Sequence, residues 1–136
     1  MYTKRFEPIK DKCNEIIEYV MASPDIPSQD DLIFKIRLSI EEVIENIIQY
    51  AYDNGSGFLE VGTQVENGML FIHFIDAGTP FNPLDKPDPD ISLSAEDRPI
   101  GGLGIFISKQ MMDKIEYEYK DGCNVLTMSK RVTPAK

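Results

Sequence analysis

A helical period runs without a break from about Ser28 to Tyr52, and the segment "DNGSG" stops it. Val43, Ile44, Ile47, Ile48 and Ala51 recur on one side of that helix, an apolar stripe that has to be covered. The period then drops to two. "FLEVGTQV", "ENG" and "MLFIHFI" read as a hairpin with Asn67-Gly68 in the turn, because tight hairpin turns need positive φ and this pair tolerates it. A long amphipathic helix beside an alternating hairpin predicts helices packed on one face of a sheet.

The rest of the chain fits that frame. Met1 to Phe6 read as a short strand. Ile9 to Met21 read as a helix, with Ile9, Cys13, Ile16, Ile17 and Val20 on one face. "ASPDIPSQD" breaks it, and Ser28 with Asp31 is placed to cap the long helix. Asp76 to Ile100 is irregular and rich in Pro, Asp and Ser, and loops of this length usually serve as lids or binding loops. Gly102 opens a third helix carrying Ile105, Phe106, Ile107, Met111 and Met112. "KIEYEY" and "NVLTMSKRV", joined by "KDG", form a closing hairpin. The expected fold class is α+β, a two-layer sandwich with a mostly antiparallel mixed sheet covered on one face by helices. At 136 residues and 42% hydrophobic content, the chain fits a single domain over 1–136.

Composition narrows the function. A formal net charge of −9 makes nucleic acid a poor direct partner, since phosphate neutralisation needs a basic patch. One His and two cysteines without CxxC spacing argue against a His- or Cys-built zinc site. Cys13 and Cys123 read as inert thiols rather than a disulfide. Magnesium held by oxygen ligands and a nucleotide stays open. No apolar run is long enough to span a bilayer, and "MYTKRFEPIKDKC" lacks a signal-type apolar segment, so a cytoplasmic location and no membrane partner are expected.

Three short stretches carry possible chemistry. Glu42 and Asn46 lie four residues apart in the long helix, roughly 40° from each other around its axis. They are either a solvated edge or a base beside a ligand for Mg²⁺. In "FIDAGTPF" Asp76 ends an apolar strand and Gly78 follows. This is either a turn or an acceptor for a ligand N–H, with Gly78 allowing close approach. In "RPIGGLGIFISKQMMD", Gly101, Gly102 and Gly104 lead into a helix whose free N–H groups suit an anion. The Lys-Ser/Thr ending of a P-loop is missing, and no strand leads in as a dinucleotide fingerprint requires.

The order of these pieces resembles the Bergerat, or GHKL, ATP-binding fold. Its pattern is an E-x-x-x-N helix, then D-x-G, then a loop, then GGLG entering a helix. The pieces here are Glu42-Val-Ile-Glu-Asn46, Asp76-Ala-Gly78 and Gly101-Gly-Leu103-Gly104. "ENIIQYAY", "DAGTPFNP" and the pair "RPIGGLGIFISKQMMDKIEYEY" and "GCNVLTMSKR" are most similar to the anti-sigma factor serine/threonine kinases. The resemblance implies ATP and Mg²⁺ as cofactors and a lid at about 82–100. It implies Glu42 as general base toward a substrate hydroxyl and Asn46 as a magnesium ligand. Asp76 would accept the adenine amino group, with Gly78 lining the base and Thr127 sharing a water with Asp76. Gly101, Gly102, Leu103 and Gly104 would wrap the phosphates, and Arg98 would reach the γ-phosphate. Tyr50 departs from the pattern, since close relatives often carry His there; an effect on packing is expected.

The function implied is a regulatory kinase that phosphorylates a STAS-type anti-sigma antagonist. It would control sigma factor availability by partner switching, as a homodimer. The alternative is an ATP-dependent binding module without kinase activity. His73, alternating with core residues in "LFIHFI", reads as structural.

Overall fold

The computed structural model describes residues 2–52, 57–85 and 102–132. Among these residues five strands form one sheet: β1 (Tyr2–Phe6), β2 (Leu59–Glu66), β3 (Met69–Asp76), β4 (Lys114–Lys120) and β5 (Cys123–Arg131). Their spatial order is β1-β2-β3-β5-β4, and each of the four pairings is antiparallel. The helices are α1 (Cys13–Met21), α2 (Asp30–Tyr50) and α3 (Gly102–Met111).

Both expected hairpins are present, and their turns match. Asn67 and Asp121 have φ of 54°, and Gly68 and Gly122 have φ of 78°. These are successive left-handed residues, the geometry that fits the twist of the flanking strands.

Helix starts depart from the sequence reading. Residues Lys10–Lys12 form a 3₁₀ turn before α1 begins at Cys13. The N-cap of α2 is Gln29, and its side chain makes no capping bond, so Ser28 does not cap this helix. Asp30 and Asp31 in the first turn supply negative charge at the positive end of the helix dipole instead.

Burial alternates along β3, so Leu70, Ile72, Phe74 and Asp76 all face the helices. Ile16, Ile17 and Val20 of α1 and Ile36, Ile40, Val43 and Ile44 of α2 pack onto that face. The loop after α1 is tied to β2 by hydroxyls. Thr63 Oγ1 donates to Asp25 Oδ2 at 2.7 Å and lies 2.7 Å from Ser23 Oγ, and the Asp25 amide donates to Ser23 Oγ at 3.0 Å. The fully buried Thr63 hydroxyl is thereby satisfied. Small side chains let α3 approach α2: Ser108 Oγ donates to the Ser39 carbonyl at 3.2 Å. Among the described residues, no helix is long and apolar enough to cross a membrane. Most of the loop expected to act as a lid, and residues 53–56, lie outside the described residues.

Candidate functional site

The C-terminal half of α2 runs over the ends of β3 and β5, and a narrow cleft opens between them. Asn46, Tyr50, Phe74, Asp76, Asn124 and Leu126 are among its lining residues. Ile47 and Ala51 add apolar wall, and Tyr117 closes the β4 side. An apolar slot with a few convergent polar groups is the usual form of a small-molecule site.

Asp76 is 4% exposed, and it lies in the cleft because β3 carries it on the helix-covered face. Its Oδ1 accepts two bonds at 2.9 Å, from the Gly78 amide and from Asn124 Nδ2. Its Oδ2 takes no hydrogen bond from the described residues, yet it is not sealed from solvent. That oxygen can accept a further bond.

Asn124 is a residue the sequence reading missed. It is the direct ladder partner of Asp76. Its Nδ2 also lies 3.3 Å from the Gly78 carbonyl and 3.0 Å from the Thr79 carbonyl. Its Oδ1 accepts the Phe81 amide at 3.0 Å and the Tyr117 hydroxyl. Strand alternation separates Asn124 from Thr127, but only the ladder register sets Asn124 opposite Asp76.

Thr127 is therefore a correction. It pairs with His73 on the outer face of the sheet, three residues along from Asn124, and an odd offset on a strand reverses the face. It cannot share a water with Asp76 through the sheet.

Gly78 also has a packing role. A Cβ there would sit 2.0 Å from the Ala51 carbonyl oxygen at the end of α2. The glycine is required by the close approach of helix and loop, where Thr79 N donates to Ala51 O at 3.2 Å.

Glu42 and Asn46 stand one turn apart on α2, both half-buried; Asn46 lines the cleft. Glu42 makes no hydrogen bond or ion pair with the described residues, whereas neighbouring Glu41 is paired with Arg37. Burial raises the Glu42 pKa above the usual carboxylate value, and the charges of Glu45 and Glu41 push the same way. Gly102, Leu103 and Gly104 form the first turn of α3. Arg98 and Gly101 lie outside the described residues.

Two tyrosines shape the rim. The Tyr50 ring meets Phe81 with centroids 5.9 Å apart. Tyr52 Oη accepts the Ala77 amide at 2.7 Å and the Phe58 amide at 3.2 Å, and donates to the Phe58 carbonyl at 2.8 Å. It joins the end of α2 to the segments flanking β2 and β3. Its adjacency to Ala51 in "QYAY" was read only as part of a motif.

Outside the cleft, His73 lies on Gly62, where a Cβ would come within 2.3 Å of the imidazole. Both cysteines are free and half-buried. Burial raises the Cys13 thiol pKa, helped by Glu45 and Glu41, which disfavours a reactive thiolate. No group of three or more His, Cys, Asp or Glu side chains is arranged for a metal among the described residues.

This arrangement is that of a nucleotide-binding domain of the histidine kinase-like ATPase type. The family model described as "Histidine kinase-like ATPase domain" matches residues 12–130. The chain belongs to that family, in its group of anti-sigma factor serine kinases. It is similar to serine-protein kinase RsbW of Bacillus cereus, with 31% identity covering 90% of this chain and 84% of the relative. It is also similar to serine/threonine-protein kinase BtrW of Bordetella bronchiseptica, with 25% identity over 74% of this chain and 72% of that protein. In fold it is similar to the histidine kinase domain of a blue-light activated histidine kinase from Erythrobacter litoralis. The TM-score is 0.60 at 15% identity, covering 87% of this chain and 57% of the solved one.

Proposed function

We propose that this chain is a serine/threonine protein kinase that binds Mg-ATP and phosphorylates a STAS-type anti-sigma antagonist. Partner switching between that antagonist and a sigma factor would follow from the phosphorylation, in the cytoplasm, with the kinase as a homodimer. The observation that carries the reading is the joint placement of Asn46 and Asp76 in the lining of one cleft, with Glu42 one turn away. Relatives named as serine-protein kinases support it.

The residues present fit the nucleotide. Asp76 Oδ2 supplies an acceptor for an exocyclic amino group, between apolar walls that suit a purine. Asn46 offers an amide oxygen, a hard ligand suited to magnesium, whose other ligands would be phosphate and water. When bound, the metal supplies charge neutralisation at the phosphates. The N-terminal turn of α3 supplies backbone N–H groups for phosphate oxygens, and glycines at 101, 102 and 104 remove the steric obstacle. Residues 82–100, with Arg98, form the lid of a single domain over 1–136.

Glu42 takes the proton of the substrate hydroxyl as its oxygen bonds to the γ-phosphorus. The bond from that phosphorus to the β–γ bridging oxygen breaks, and ADP leaves. The raised pKa of Glu42 suits a base. The test is single-turnover transfer from labelled ATP to the cognate antagonist. Glu42→Gln should retain ATP and partner binding and lose about 10²–10⁴-fold in transfer. Transfer at the wild-type rate would remove Glu42 as base. Wild-type binding of ATP and partner without any transfer would make the chain an ATP-dependent binding module instead.

A further inference from the structure

We propose that the rings of Tyr50 and Phe81 form a latch across the mouth of the cleft, and that nucleotide enters only when the latch parts. This rests on reading the cleft as the nucleotide site. The cleft as it stands is nearly shut. Its cavity volume is about 30 Å³, room for roughly two waters and far too little for a fused two-ring base. Its walls are dry as well. Val43 and Phe74 are 1% exposed and Leu126 is 6% exposed, although all three line it. An apolar slot of this kind gains by staying covered, because opening it puts those walls in water.

The two rings are the part of the cover that can move. Tyr50 is the last residue of α2, and Phe81 comes from the loop after β3, so these lining residues reach the mouth from different elements. Their centroids lie 5.9 Å apart with the planes at 31°, within the range of a favourable aromatic pair. The departure at Tyr50 thereby has its packing partner. The backbone on both sides is tied. Thr79 N donates to Ala51 O at 3.2 Å, one residue beyond Tyr50, and Phe81 N donates to Asn124 Oδ1 at 3.0 Å. With both main chains held, the mouth opens by turning a ring. Tyr50 is the ring with room to turn, since it ends its helix and is 37% exposed. Such a side chain turns far faster than nucleotide arrives, so the closed fraction acts directly on the association rate. One aromatic pair favours the closed state by roughly twofold to tenfold.

The test is stopped-flow mixing of the protein with the fluorescent N-methylanthraniloyl derivative of ATP, with Mg²⁺ present. Phe81→Leu keeps apolar bulk and the backbone bond to Asn124 but removes the ring. Association should quicken by roughly twofold to tenfold, with dissociation changed by less than about twofold. Tyr50→Leu should quicken association by a similar factor. The double variant should gain no more than the better single one, because the two rings make one contact. Unchanged or slower association in the single variants overturns the latch, and faster dissociation alone would make the rings a clamp on bound nucleotide instead. Fully additive gains would mean two separate obstacles and would overturn it too. Each single variant is decisive by itself, so one that fails to fold leaves the test standing on the other. A wild type that takes up no Mg-ATP removes the nucleotide reading of the cleft, and the latch with it.

Discussion

Strands β3 and β5 carry two polar pairs three positions apart, His73 with Thr127 and Asp76 with Asn124, and the two pairs have opposite fates. The outer pair faces away from the helices. There His73 Nε2 is buried without a hydrogen-bond partner, and the Glu60 carboxylate is 3.9 Å away, too far to serve as one. The inner pair faces α2. There Asp76 and Asn124 bond to each other and to the backbone of the following loop, leaving one carboxylate oxygen for a ligand. The difference teaches that a polar strand residue becomes a site when a helix roofs it and a loop end completes its bonds. Residue type alone does not decide it.

The two glycines give the largest test of that contrast. A Cβ at Gly78 would strike a backbone oxygen at 2.0 Å, whereas one at Gly62 would strike the end of the His73 side chain at 2.3 Å. Backbone cannot swing aside, but an imidazole can. Gly78→Ala should therefore lose about 1–3 kcal/mol in urea unfolding, the usual scale of overpacking. Gly62→Ala should lose less than about 1 kcal/mol, with His73 turned outward. Equal losses would break the comparison.

Nucleotide affinity gives the next test. Asp76→Ala should weaken ATP binding at least about tenfold by calorimetry. The fold should survive, because Asn124 Nδ2 keeps the Gly78 and Thr79 carbonyls as acceptors. Thr127→Val should change ATP affinity by less than about twofold, since its face has no access to the cleft. A tenfold loss in Thr127→Val would restore that residue to the site.

How far the sequence could be read is visible in these same residues. The hairpin turns at Asn67-Gly68 and "KDG" were legible because positive φ restricts the residue choice. Asp76 was legible because an acid ending an apolar strand stands out. Asn124 was not, because its role depends on the ladder register that sets it opposite Asp76. The Ser28 cap failed because acidic residues in the first turn substitute for a capping side chain.

The smallest effect concerns pH. Burial lowers the His73 pKa below its usual value, and the nearby Glu60 charge only partly offsets this. A His with a lowered folded pKa binds its proton more readily when unfolded. Its contribution to stability is full above the unfolded value, near pH 6.5, and is lost as pH falls toward the folded pKa. Glu42 works in the opposite sense, since its folded pKa is raised and protonation relieves it as pH falls. Subtracting the pH profile of His73→Gln from that of the wild type isolates the histidine. The wild type should lose the larger amount of unfolding free energy between pH 7 and 5. Parallel profiles would mean that His73 gains a partner on the outer face.

The sequence by itself determined the elements, the two tight turns, the helical spacing of Glu42 and Asn46, and the strand-end position of Asp76. Those are local properties: period, backbone freedom and charge within a few residues. Only the tertiary structure decided which polar residues share the cleft, because strand register and helix approach join residues as far apart as Ala51, Gly78 and Asn124. It also decided what Gly78 is for. A missing side chain carries no message in sequence about what will fill its space, and here the end of a helix fills it.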